Sequence, residues 1–111
     1  MTAARRYETV AEIREANRAA GHHFFDRATM EFFRSKVLPG VYGGRFFVTE
    51  ELTAAVEGES LGGVAVYTVR FCSNAGEVFT ASPVKHGNRT SARAHAGRLA
   101  REFTEQYGGA K

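Results

Sequence analysis

The sequence predicts a small α+β domain with the element order α-α-β-β-β-α: a three-stranded antiparallel sheet packed by helices on one face. Three observations predict it. Helical periodicity is confined to the two ends of the chain, over residues 9–38 and 88–107. Between them lie three short runs rich in aromatic and β-branched residues, at 45–49, 64–72 and 77–82. Turn signals mark the joints: Leu38-Pro39-Gly40, Gly43-Gly44, Ser73-Asn74-Ala75-Gly76 and Pro83.

In chain order, residues 1–8 are expected to form a flexible arm, 9–107 a single domain and 108–111 a tail. Thr9 with Glu12 fits the reciprocal capping box of a first helix. Its stripe is Val10, Ile13, Asn17 and Ala20, and Gly21 ends it. A second helix is expected from an Asp26 N-cap to the Leu38-Pro39 stop, since a residue before proline is pushed out of the helical region. Phe25 and Met30 fit a hydrophobic staple, and Met30, Phe32, Phe33 and Val37 form the predicted core face. Residues 21–50 carry six of the nine phenylalanines, so the core is expected to grow there.

After the first strand, residues 50–63 read as an acidic loop with one helical turn at 52–56. The run at 64–72 is the strongest strand, placing Tyr67, Val69 and Phe71 on one face, and 77–82 returns as its hairpin partner. The last helix opens at Asn88 or Thr90 and carries the stripe Ala92, Ala96, Leu99, Phe103 and Tyr107.

Composition narrows the class. At 111 residues, with 43% hydrophobic and 24% charged residues, the chain matches a soluble globular domain. Cys72 is the single cysteine, so an internal disulfide is excluded and a reducing, cytoplasmic compartment is expected. No run reaches the ~18 apolar residues of a membrane span. The net charge is +3, unevenly spread. Glu50, Glu51, Glu57 and Glu59 make residues 50–59 net −4. Lys85, Arg89, Arg93, Arg98, Arg101 and Lys111 outweigh Glu102 and Glu105, making residues 85–111 net +4. A basic terminal segment of this kind suits a polyanion, or is a solvated helix face.

Catalytic motifs are missing. There is no serine elbow, Walker-type phosphate loop or telling carboxylate pair, and no cofactor is expected. Cys72 sits in a strand pattern, where cysteine is a small buried hydrophobe. His22 and His23 with Asp26 lack the three or four ligands of a zinc site; one histidine is expected beside Asp26 and the other exposed.

Residues 67–103 combine two strands, a glycine turn and a helix opening Asn88-Arg89-Thr90-Ser91-Ala92-Arg93. This layout resembles two nucleic-acid-binding modules: the integrase N-terminal type, whose sheet enters the DNA major groove, and the double-stranded RNA-binding type, whose last helix starts with basic residues. The resemblance implies phosphate contacts by Arg70, Lys85, Arg89 and Arg93, aided by the free amides and positive dipole of a helix start. The pattern Asn17-x-x-x-Gly21-x-x-Phe24-Phe25, Thr29-Met30-x-Phe32-Phe33-x-Ser35-Lys36-Val37 and Phe46-Phe47-Val48-Thr49-Glu50-Glu51, with Tyr67-Thr68-Val69-Arg70, is similar to a family of small proteins of bacteriophages and mobile elements. That resemblance implies an origin as an accessory gene of a phage or mobile element and transfers no activity; the function expected for the chain is that of a non-catalytic accessory protein acting by macromolecular binding, with nucleic acid (DNA or RNA) as partner. The alternative is an inhibitor of a host defence or housekeeping protein, using Glu50, Glu51, Glu57 and Glu59. A third reading is sequestration of a small phosphorylated signal by the same arginines. Free sheet edges also leave room for a homodimer.

Overall fold

Among the described residues four strands, not three, pair in chain order as an antiparallel meander, β1-β2-β3-β4. They are β1 (Ser35–Val37), β2 (Phe46–Leu52), β3 (Ala65–Cys72) and β4 (Val78–Thr80). Helices α1 (Val10–Ala19) and α2 (Arg27–Phe32) precede the sheet, and α3 (Arg89–Gln106) follows it. This computed structural model describes residues 6–32, 34–52 and 65–106, the last three by backbone alone. Phe33, Glu57, Glu59, Val64, Tyr107, the turn at 53–56 and the C-terminal tail lie outside the described residues.

The fourth strand comes from the back half of the expected second helix. That helix stops at Phe32, Arg34 turns the chain with a φ of 52°, and Ser35, Lys36 and Val37 pair with Glu51, Glu50 and Thr49. Pro39 biases only Leu38 toward extended conformation, and the Leu38 amide continues the pairing by donating to Val48 O at 3.0 Å. A six-residue helix also cannot present a full core face. Met30 is therefore only partly buried, and Phe32, expected in the core, is 78% exposed. The other strand-side correction concerns Glu50, Glu51 and Leu52, which extend β2 instead of opening a loop.

Helices cover both faces, not one. On one face Phe46, Val48, Tyr67 and Val69 meet Ala92, Ala96 and Ala100 of α3. On the other, Phe47 and Cys72 meet Ile13 and Ala16 of α1, with Phe24, Phe25, Val37 and Val78 around them. Strand alternation produces this division, because paired residues across the sheet point to the same side. Arg45, the residue before β2, is buried; its guanidinium lies over Phe71 and Phe103 at 5.6 and 5.5 Å and donates to Cys72 O at 3.2 Å. Burial lowers its pKa, against the opposing pull of Tyr7 and Cys72.

Local signals set the helix ends. Thr9 Oγ1 accepts from Glu12 N at 3.2 Å, while Glu12 Oε1 accepts from Glu8 N at 2.8 Å. Asn88 Oδ1 accepts from Ser91 N at 2.8 Å and opens α3. Tyr7, placed by sequence in the arm, is 3% exposed; its hydroxyl donates to Ser73 O at 2.8 Å. At Gly43 (φ 62°) a Cβ would stand 2.7 Å from Ala100 Cβ, so the bare backbone lets α3 seat against the 42–45 turn.

Candidate functional site

β2 and β3 distribute the predicted site residues by parity. Glu50 and Tyr67 are register partners on the α3 face, whereas Glu51, Thr68 and Arg70 point to the α1–α2 face. The acidic pair and the basic set, read from sequence as two separate surfaces, therefore meet each other.

On the α1–α2 face Arg70 is held on every side. Its Nε donates to Thr49 Oγ1 at 3.0 Å, its Nη1 to Thr80 Oγ1 at 2.7 Å and its Nη2 to Glu51 Oε2. Phe24 lies over the guanidinium at 5.6 Å. The side chains of Arg70 and Glu51 are 14% and 16% exposed, so this pair is largely removed from water. Glu51 Oε1 accepts from Thr68 Oγ1 at 3.1 Å and stands 3.9 Å from Lys85 Nζ, whose side chain is half exposed.

On the α3 face Glu50 Oε2 accepts from the Tyr67 hydroxyl at 2.8 Å, and Glu50 Oε1 is 3.8 Å from Arg89 Nη2. The segment before α3 adds an isolated bridge: Tyr67 and His86 exchange backbone hydrogen bonds of 2.8 and 2.9 Å. This turns His86 toward α3, where its Nε2 lies 2.9 Å from His95 Nδ1. His95 is buried, and its pKa is lowered first by that burial, then by His86 and Arg98, against the opposing charge of Glu102. The histidine pair was invisible in sequence, since nine residues separate its members and only the bridge to Tyr67 aligns them.

Thus the structure brings Arg70 and Lys85 together around Glu51, places Arg89 beside Glu50 on the opposite side of the sheet, and leaves Arg93 exposed on α3. Arg98 and Arg101 are exposed on the same helix. None of Arg93, Arg98 and Arg101 enters an ion pair among the described residues. Cys72 is fully buried in β3, as a strand cysteine suggests. His23 is both exposed and beside Asp26, 2.8 Å away, while His22 is half-buried. No group of three metal-ligating side chains occurs among the described residues, and no described helix is long and apolar enough to cross a membrane.

The architecture is that of an α+β protein whose antiparallel meander is covered on both faces and whose polar groups are mostly paired internally. The chain belongs to a family of unknown function, DUF7447, whose model matches residues 9–96. No curated protein and no solved structure matches it.

Proposed function

We propose that this protein is a non-catalytic accessory protein of a phage or mobile element. It acts in the bacterial cytoplasm and binds nucleic acid through the outward face of α3. The observation that carries this reading is the division of the cations. Arg70, Lys85 and Arg89 are engaged by Glu51 and Glu50, while Arg93, Arg98 and Arg101 stand exposed and outside every described ion pair. At 3.6 residues per turn these three fall within an arc of about 140°, wide enough to track one phosphate backbone. Arg89, half exposed at the helix start, extends the arc toward the end where the helix dipole is positive. Arg70 supports the site from the opposite side of the sheet by fixing Glu51, which also faces Lys85.

The test is fluorescence polarisation with duplex DNA, duplex RNA and single strands at two salt concentrations. Binding should weaken with salt, and the triple variant R93A/R98A/R101A should lower the slope of log K against log salt by about 2–3. Arg70→Ala should leave that slope unchanged. No binding at low salt removes the reading. A stoichiometric host protein recovered from nuclease-treated lysate would favour the inhibitor alternative instead. Of its acidic contact surface, Glu50 and Glu51 lie in β2 with side chains only 20% and 16% exposed.

A further inference from the structure

A cavity of about 280 Å³ opens over the Arg70–Glu51 pair, between α2 and the α1–α2 face of the sheet. Phe24, Met30 and Val78 supply its apolar lining, and Ser35, Glu51, Arg70 and Thr80 its polar lining. The geometry points to a binding site for a small uncharged molecule that carries one amide-type edge on an apolar body.

The valences of the polar floor define that chemistry. A guanidinium has five N–H donors. Three are spent on Thr49, Thr80 and Glu51, which leaves two. The carboxylate of Glu51 receives Thr68 on one oxygen and Arg70 on the other, and each oxygen keeps a lone pair. Ser35, one of the lining residues, has a buried Oγ with no hydrogen-bond partner among the described residues. Buried hydroxyls are nearly always satisfied, and a ligand atom that reached this one would supply its partner. A carbonyl oxygen can take the spare donors of Arg70 and Ser35, and an adjacent N–H can be taken by Glu51.

Charge selects against the obvious competitors. A carboxylate or phosphate entering the cavity meets Glu51 at close range, with the half-exposed Lys85 3.9 Å from Glu51 Oε1 as a partial offset, and an ammonium meets Arg70. Only a neutral group uses both sides of the pair without repulsion, and the pair is itself largely removed from water. Size sets the rest. At roughly 30 Å³ per molecule of liquid water, the cavity holds about nine waters, the space of a single substituted ring. Phe24 and Met30 offer such a ring an edge and a polarisable thioether. This site lies across the sheet from α3 and does not depend on nucleic-acid binding.

Benzamide, benzoate and benzylamine, which share one ring and differ in charge, test the proposal by ligand-observed NMR on the intact protein. Benzamide should bind at least tenfold more tightly than either ion. Met30→Trp, which fills the cavity from its rim, should abolish benzamide binding. Ser35→Ala, which removes one hydroxyl and nearly keeps the side-chain volume, should weaken benzamide about tenfold and leave the weak binding of benzene unchanged; tenfold corresponds to ~1.4 kcal/mol. Retained melting temperatures in both variants secure the comparison. Absence of benzamide binding at 10 mM, on the order of the weakest useful affinity, overturns the proposal. So does binding that Met30→Trp leaves intact, or equal binding of the three probes.

Discussion

On the α3 side of the sheet the helix meets the strands through three alanines, Ala92, Ala96 and Ala100, and most of its polar residues are sent outward or to the rim, with His95 of the helix and Arg45 beside it the buried exceptions. On the α1–α2 side a short helix and a loop cover the strands, and polar groups are drawn inward: Asn17, Thr49, Thr68 and the Arg70–Glu51 pair. The difference follows from helix length. An 18-residue helix lays a continuous apolar stripe along the strands, so its face can close by packing alone. A 10-residue helix and a six-residue helix cannot, and the gap between them is bridged by hydrogen bonds and left partly open as a cavity. One face is thus built to be rigid and to expose charge; the other is built from directional bonds and retains space.

The largest expected effect breaks the directional side. Asn17 is 1% exposed; its Nδ2 donates to Gly76 O at 2.8 Å and its Oδ1 accepts from Phe24 N at 3.2 Å. It therefore ties α1 to both the β3–β4 turn and the segment entering α2. Gly76 is fitted to this contact, since a Cβ there would stand 2.6 Å from Ala16 O. Asn17→Ala strands a buried carbonyl and a buried amide, and should cost about 2–4 kcal/mol in equilibrium urea unfolding. A loss below about 1 kcal/mol would mean that apolar packing holds this face too.

These two faces were unequally legible in sequence. Ala92, Ala96, Leu99 and Phe103 announce α3 because a helical period is a local property, and Asn88 and Thr9 cap their helices by bonds spanning three residues. Ser35-Lys36-Val37 gives no such sign. Val37 continues the period of Met30, and only pairing with Thr49, Glu50 and Glu51 makes the segment a strand. The same non-locality hid the site. Arg70 was visible as a cation and Glu51 as an anion, but their union depends on the β2–β3 register, which places both on one face. Asn17 was assigned to the stripe of the first helix, while its partner Gly76, 59 residues away, had no signature beyond a turn glycine.

A middle-sized effect sharpens the packed side. Ala96 is fully buried where α3 lies on Val48, Tyr67 and Val69. Ala96→Leu inserts atoms into a close interface and should destabilise by about 1–3 kcal/mol. Ala94→Leu, on the exposed side of the same helix, should stay within about 0.5 kcal/mol. If both variants match wild type in thermal melts, the alanine stripe is a matter of helix propensity and not of close approach.

The smallest effect concerns a titrating contact that fastens α3 to the sheet edge. His95 faces His86 at 2.9 Å from the segment bridged to Tyr67, and Arg98 and Glu102 from its own helix; Glu50 and Arg89 lie beyond Tyr67. Its folded pKa is lowered below the ordinary value near 6.5, chiefly by burial. The unfolded chain therefore binds this proton more readily than the folded one. The stability held in neutral His95 is complete above the ordinary value and is lost as pH falls through the lowered one. Melting temperature should thus fall between pH 7.5 and pH 5, roughly one unit or more on either side of that value, and His95→Gln should flatten the fall. An equal decline in the variant would assign the acid sensitivity to groups other than His95.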